Sequence, residues 1–191
     1  MSTVLERSRI ELPAAWSRWL ADLFGHVAKP RWRRVPLTVQ AQLQSQWCWA
    51  ACSTSVSHFY DTASTWTQCG VVNAELAQSG CCENGSSGPC NQPWYLDRAL
   101  TRTSNFASSK SGPASMSELR SQLDAGHPVG VRIGWAGGGG HFVTISGCLD
   151  DATGMLEVRD SIFGTSEISM ANFRSSYQGS GSWTHTYFTR G

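Results

Sequence analysis

Residues 44–51 read "QSQWCWAA", a cysteine set between two tryptophans with small residues behind it. Cys48 stands where a helical pattern begins. Unpaired backbone N–H groups and the positive end of a helix dipole favour a thiolate there, and the thiolate is the attacking form. Ala50 and Ala51 keep the following turn small enough to pack closely under a cleft. Downstream, "GGGGHFVTISG" places His141 behind four glycines, including Gly139 and Gly140, at the start of an apolar strand. A fixed imidazole facing open space is what a general base requires. Asp160 ends the next strand, and antiparallel pairing would bring its carboxylate to the imidazole, fixing the tautomer and stabilising the imidazolium. Gln40, Gln42, Gln44 and Gln46 alternate ahead of Cys48. One of their amides could join the Cys48 N–H around a developing oxyanion, and composition does not choose among them. Together these residues predict nucleophilic acyl transfer through a thioester. The competing readings are a disulfide or a buried thiol for Cys48, a packed strand histidine for His141 and an ordinary turn aspartate for Asp160. His26, His58, His127 and His185 are weaker histidine candidates. Asp150 and Asp151 fall in a hairpin turn that explains them.

The elements that must position these groups follow from periodicity. "SQWCWAACSTSVSHFYD" is predicted as a helix with Ser45 as cap and Trp49, Cys52, Val56, Phe59 and Tyr60 on a buried face. Shorter helices are predicted in "VVNAELAQSG", "QPWYLDRALTR" and "ASMSELRSQLDAG", the last capped by Ser115 or Ser117 and stopped by Gly126. The pattern then changes to strands: "HPVGVRIGW" with Val129, Val131 and Ile133 on one face, "GGGGHFVTISGCL", "GMLEVRDSIFG", a short strand and helical turn in "EISMANFRSSY", and "GSWTHTYFTR". Helices first and an antiparallel sheet second make an α+β fold.

Residues 1–35 stand apart as a basic amphipathic segment, with Ala15, Trp19, Leu20, Leu23 and Phe24 at helical spacing. It is a possible prosegment or delivery segment, or a helix packed on the main domain of residues 36–191. The whole chain has 191 residues and a formal charge of +1, with 15% charged and 40% hydrophobic residues. That balance gives nucleic acid no purchase, and no apolar run is long enough to span a bilayer. The start makes a poor secretory signal, since Glu6, Arg7, Arg9 and Glu11 interrupt any apolar core. The cysteines nevertheless suggest a protein secreted or delivered outside the cytoplasm, with a cytoplasmic protein as the alternative. Of seven, Cys69, Cys81, Cys82 and Cys90 crowd a Gly-, Ser- and Asn-rich stretch that reads as a disulfide-held loop.

The run "QAQLQSQWCWAA", then "GGHFVTISG", then a strand ending in aspartate, resembles the papain-like cysteine proteases. It is most similar to the bacterial group that includes secreted effector proteases acting in plant hosts. The order Gln, Cys, His, Asp is the family's order. The resemblance implies a papain-like fold, helical half against sheet half, covering the chain from about Val35 onward. It implies Cys48 as nucleophile, His141 as base, Asp160 as orienting residue and Gln42, six residues before the cysteine, as the oxyanion amide. It implies a peptide or protein substrate cut by a monomer without cofactor or metal, with Trp47, Trp49, Gly139 and Gly140 along the groove. The sequence departs from the classical enzymes in a shorter Cys-to-His stretch and in the absent cysteine just ahead of the nucleophile.

Cys52, one turn past Cys48, is expected to tie the central helix to Cys81 or Cys82, with Cys69 joined to Cys90 and Cys148 left as a free buried thiol. Zinc held by Cys69, Cys81, Cys82 and Cys90 is the alternative, against which stand the adjacent cysteines and the lack of a regular chelating pair. Two other functions compete. The same triad would serve an acyltransferase, deamidase or toxin. An inactive binding module would use a groove lined by Trp47, Trp49, Trp135 and Trp183.

Overall fold

The computed structural model describes residues 30–191. The helix expected after Pro13, and His26, lie outside them. Five helices and seven strands follow in the order β1 (Trp32–Arg34), α1 (Cys48–Tyr60), α2 (Gln68–Leu76), α3 (Leu96–Arg102), β2 (Phe106–Ser111), α4 (Met116–Asp124), β3 (Val129–Trp135), β4 (Gly140–Leu149), β5 (Met155–Asp160), β6 (Gly164–Ser169), α5 (Met170–Ser175) and β7 (Gly181–Thr189). The fold is α+β. Helices come first and one antiparallel sheet, in the order β2-β7-β3-β4-β5-β6, comes second.

Two strands escape the periodicity. β1 pairs with the far end of β4, Trp32 opposite Leu149, so the sheet takes in residues that the sequence assigned to the leading segment. Its short "WRR" has no alternation to read. β2, "FASSKS", pairs with β7 across a bulge between Phe106 and Ser108 and is mostly exposed. An edge strand with little to bury carries no apolar signature.

α1 is buried on all sides from Cys48 to Ser57, so its apolar face is only part of what it hides. The serine hydroxyls it buries are satisfied locally. Ser53 donates to the Ala50 carbonyl, and Ser55 donates to Ala51 and accepts from the Gln40 N–H. Ser45 does not cap this helix. Its N-terminal boundary is Trp47, without a side-chain cap, because residues 44–47 form a turn closed by Trp47 N–H on the Gln44 carbonyl. α4, in contrast, starts at Ser115 with a complete capping box to Glu118.

The sheet separates two cores. One face carries Val129, Val131, Ile133, Val143 and Ile145 against Leu119 and Leu123 of α4 and Phe173 of α5. The other carries Phe142 and Tyr187 against α1, Val71 and Val72 of α2, and Leu96 and Leu100 of α3. Alternation along β4 lets one strand serve both, Val143 and Ile145 in the first core and Phe142 in the second.

Candidate active site

Three elements, α1, β4 and β5, supply the candidate residues. Cys48 is the first residue of α1, buried yet lining a cleft of about 500 Å³. His141 is the second residue of β4 and 4% exposed. Asp160 closes β5, whose register sets it opposite Val143. Val143 and His141 are two residues apart and share a face of the sheet, so the carboxylate arrives beside the imidazole.

His141 Nε2 meets Asp160 Oδ1 at 2.9 Å, and Cys48 is near enough to the ring to help raise its pKa. The Asp160 carboxylate is also used beyond the histidine. Oδ1 accepts from the N–H groups of Ile162 and Phe163 at 2.7 and 3.1 Å, and Oδ2 accepts from the Tyr177 hydroxyl at 2.8 Å. Aromatic rings enclose the imidazole. Trp135 lies stacked at 6.1 Å and Phe163 edge-on at 6.3 Å. Burial alone would push the His141 pKa down, but hydrogen bonds and charge from Asp160 and Cys48 outweigh it and raise it from 6.5 to about 9. Burial works to raise the Asp160 pKa, yet His141 and the two backbone N–H groups hold it below the usual carboxylate value. The pair therefore rests as imidazolium and carboxylate at neutral pH.

Gln42 is adjacent but committed elsewhere. Its Nε2 donates to the Gln44 and Ser45 carbonyls at 2.8 and 2.9 Å, and its Oε1 accepts from Ser161 at 2.9 Å. The amide braces the loop ahead of Cys48 against the turn after Asp160. To serve an oxyanion it would have to exchange one of those donors. The other alternating glutamines do structural work or face outward. Gln40 meets Gln68 and Ser55, and the Gln46 backbone is held by Asn91.

The cleft beside Cys48 is walled by Trp49, Tyr95, Arg132, Gly139, Gly140 and Phe142. Gly138 and Gly139 take left-handed backbone, and a Cβ on Gly140 would lie 2.7 Å from the Arg132 guanidinium, so the glycine run serves the turn as well as access. Trp47 is not a groove residue. It is 1% exposed, its indole donating to the Cys90 carbonyl at 2.9 Å. Trp183 is also buried, and a tryptophan-lined binding groove loses two of its four walls. The rival histidines have other partners: His58 the Trp66 carbonyl, His127 the Tyr60 ring, His185 Thr184 at the cleft wall. Asp150 pairs with Arg33 and Arg120, and Asp151 closes its own turn.

The disulfide pairing differs from expectation. Cys69 joins Cys82 and Cys81 joins Cys90, while Cys48, Cys52 and Cys148 are free and buried. Cys52 points under the sheet and donates to the Phe142 carbonyl, its thiol pushed up by burial, so it is out of reach of the loop. The adjacent Cys81 and Cys82 send their sulfurs to opposite partners.

Against known families, the one described as papain-like cysteine protease AvrRpt2 matches residues 29–178. The chain belongs to that family. It is accordingly a peptidase of the papain-like cysteine class. Among solved structures, a double glycine motif protease from an AMS/PCAT transporter, crystallised with its leader peptide, is 20% identical with a TM-score of 0.48, over 83% of this chain and 94% of that one. No curated protein matches the chain.

Sequence reasoning passed over Tyr177, which takes the second oxygen of Asp160, and Asn91, which holds the turn before Cys48. Tyr177 reaches Asp160 only through the turn after α5, and no local spacing marks it. Asn91 sits one residue after a bridged cysteine, the only signal it offers.

Proposed function

We propose that this papain-like protease hydrolyses peptide bonds through a Cys48–His141–Asp160 triad. The observation that carries the reading is His141, bonded through Nε2 to a buried Asp160, with Cys48 among the groups that raise its pKa. Cys48 attacks in the thiolate form, the nucleophilic form of a cysteine. The sulfur attacks the peptide carbonyl, forming a C–S bond, and the carbonyl electrons move to oxygen. The Cys48 N–H is left without an intrahelical partner at the start of α1 and donates to that oxyanion. An N–H of Gln42, released from Gln44 or Ser45, supplies the second donor. The oxyanion collapses, the C–N bond breaks, and His141 gives its proton to the leaving amine. A water then attacks the thioester, with His141 taking its proton, and the thiolate is regenerated. Asp160 holds the ring in place throughout. The two bridges suit a protein that works in, or passes through, an oxidising compartment.

The test is alkylation with iodoacetamide near neutral pH, with the labelled thiol mapped by mass spectrometry, alongside turnover of a peptide library. Fast labelling confined to Cys48 and slowed in His141→Ala is expected, with peptide turnover falling by about 10⁴-fold in Cys48→Ala. Slow labelling spread over Cys48, Cys52 and Cys148 would overturn the reading.

A further inference from the structure

The loop of residues 80–92 buries almost nothing of itself. Between Cys81 and Cys90 every residue is exposed or half-buried, and only the two bridged cysteines are buried, at 1% and 4% exposure. The Cys81–Cys90 disulfide is thus the core of this loop. What the loop touches is the run leading into Cys48. The Asn91 Oδ1 accepts from the Gln46 N–H at 3.0 Å, and its Nδ2 donates to the Ser45 hydroxyl at 2.9 Å. The Cys90 and Gln92 carbonyls accept the indole N–H groups of Trp47 and Trp49 at 2.9 and 3.0 Å. Gly85 lies flat on the Trp47 ring, where a Cβ would come within 2.8 Å of it. Four hydrogen bonds from the loop therefore fall on Ser45, Gln46, Trp47 and Trp49, on both sides of the nucleophile. α1 has no side-chain cap at this end, and Asn91 instead holds the Gln46 N–H in the turn just ahead of the Trp47 boundary.

We infer that Asn91 is a positioning residue for Cys48, held in register by the Cys81–Cys90 disulfide, and that reduction of this disulfide turns the protease down. The inference rests on Cys48 being the nucleophile. A dithiol supplies the two electrons and two protons. The Cys81–Cys90 bond breaks, both cysteines become thiols, and the dithiol leaves as its cyclic disulfide. The loop then has no buried core to keep Asn91 against Gln46, and the start of α1 loses its register to His141. The Cys69–Cys82 bridge, exposed at Cys82, does not carry these contacts.

The experiment compares the wild-type protein with Asn91→Ala, Cys81→Ser/Cys90→Ser and Cys69→Ser/Cys82→Ser. Each is assayed for peptide turnover, iodoacetamide alkylation of Cys48 and melting temperature, in a monothiol buffer that keeps Cys48 reduced. Asn91→Ala is expected to lower kcat by roughly 10- to 100-fold, with KM within about twofold, because only the reacting geometry is lost. Cys81→Ser/Cys90→Ser, and the wild type after excess dithiothreitol, fall by as much or more, whereas Cys69→Ser/Cys82→Ser keeps most of its turnover. A folded Asn91→Ala or Cys81→Ser/Cys90→Ser protein with wild-type kcat and alkylation rate would overturn the inference. A wild type whose Cys48 neither alkylates nor turns over peptide would instead overturn the functional reading beneath it.

Discussion

At the residue scale, the proposed mechanism and the pH behaviour both turn on the His141–Asp160 pair. An imidazole walled by Trp135 and Phe163 would ordinarily shed its proton, yet the pKa is raised to about 9 because a buried carboxylate sits 2.9 Å away. In the proposed mechanism the leaving amine needs that proton, so kcat/KM for peptide hydrolysis should fall as pH rises through about 9, and a pH–rate profile checks it. The sign for stability is the same. A folded-state pKa raised above 6.5 adds stability that is fully present below pH 6.5 and is lost as pH climbs through about 9. Urea midpoints measured across that window should decline in the wild type and stay flatter in His141→Ala. Tyr177 supplies the remaining strong contact to Asp160. Tyr177→Phe leaves a buried charged oxygen short of a donor, which should cost about 2 kcal/mol in denaturant unfolding. The residues of the proposed triad stood out in the sequence because a cysteine between tryptophans at a helix start and a histidine behind four glycines are unusual settings. Tyr177 did not, because a single hydroxyl at a turn has no pattern.

At the scale of elements, what the sequence shows depends on whether an element signals locally. α4 announces itself through "SMSE", and Ser115 and Glu118 do form the reciprocal cap. Ser115→Ala should destabilise the fold by about 1 kcal/mol in thermal or denaturant melts while leaving peptide turnover unchanged, since α4 packs on the sheet face away from the cleft. The strands β3, β4 and β5 were readable from their alternating or continuous apolar residues, and their antiparallel register then delivered Asp160 to His141. β1 and β2 were not, because neither buries a full face. The cysteine loop failed in another way. Cysteine spacing permits several pairings, and only the path of the chain from α2 across Gly80 selects Cys69 with Cys82 and Cys81 with Cys90. Cys52 was expected in a bridge for its place on α1, but that place faces Phe142 and not the loop.

At the scale of the whole molecule, the site lies where two cores meet. Cys48 belongs to the helical core, whereas His141 and Asp160 ride on strands whose other residues fill the second one. The side chain that crosses between them is Phe142. It neighbours His141 on β4, packs in the helical core with its ring edge-on to Tyr187, and offers its carbonyl to Cys52 one turn beyond the nucleophile. How Phe142 seats against α1 therefore bears on the thiol-to-imidazole spacing alongside the loop contacts at Gln46, and no sequence pattern reveals this, because Phe142 reads as one more apolar strand residue. Phe142→Ala should open a cavity at that seam and cost about 3–5 kcal/mol of stability by denaturant titration. Because the cavity separates the partners of one reaction, kcat should fall further than the loss of folded protein explains, by about 10²-fold for a displacement near 1 Å. Phe142→Leu, which keeps most of the volume, should restore the larger part of both. If stability drops in Phe142→Ala while kcat per folded molecule holds, the spacing of Cys48 and His141 is fixed by the loop contacts around Ser45 and Gln46 instead of by this seam.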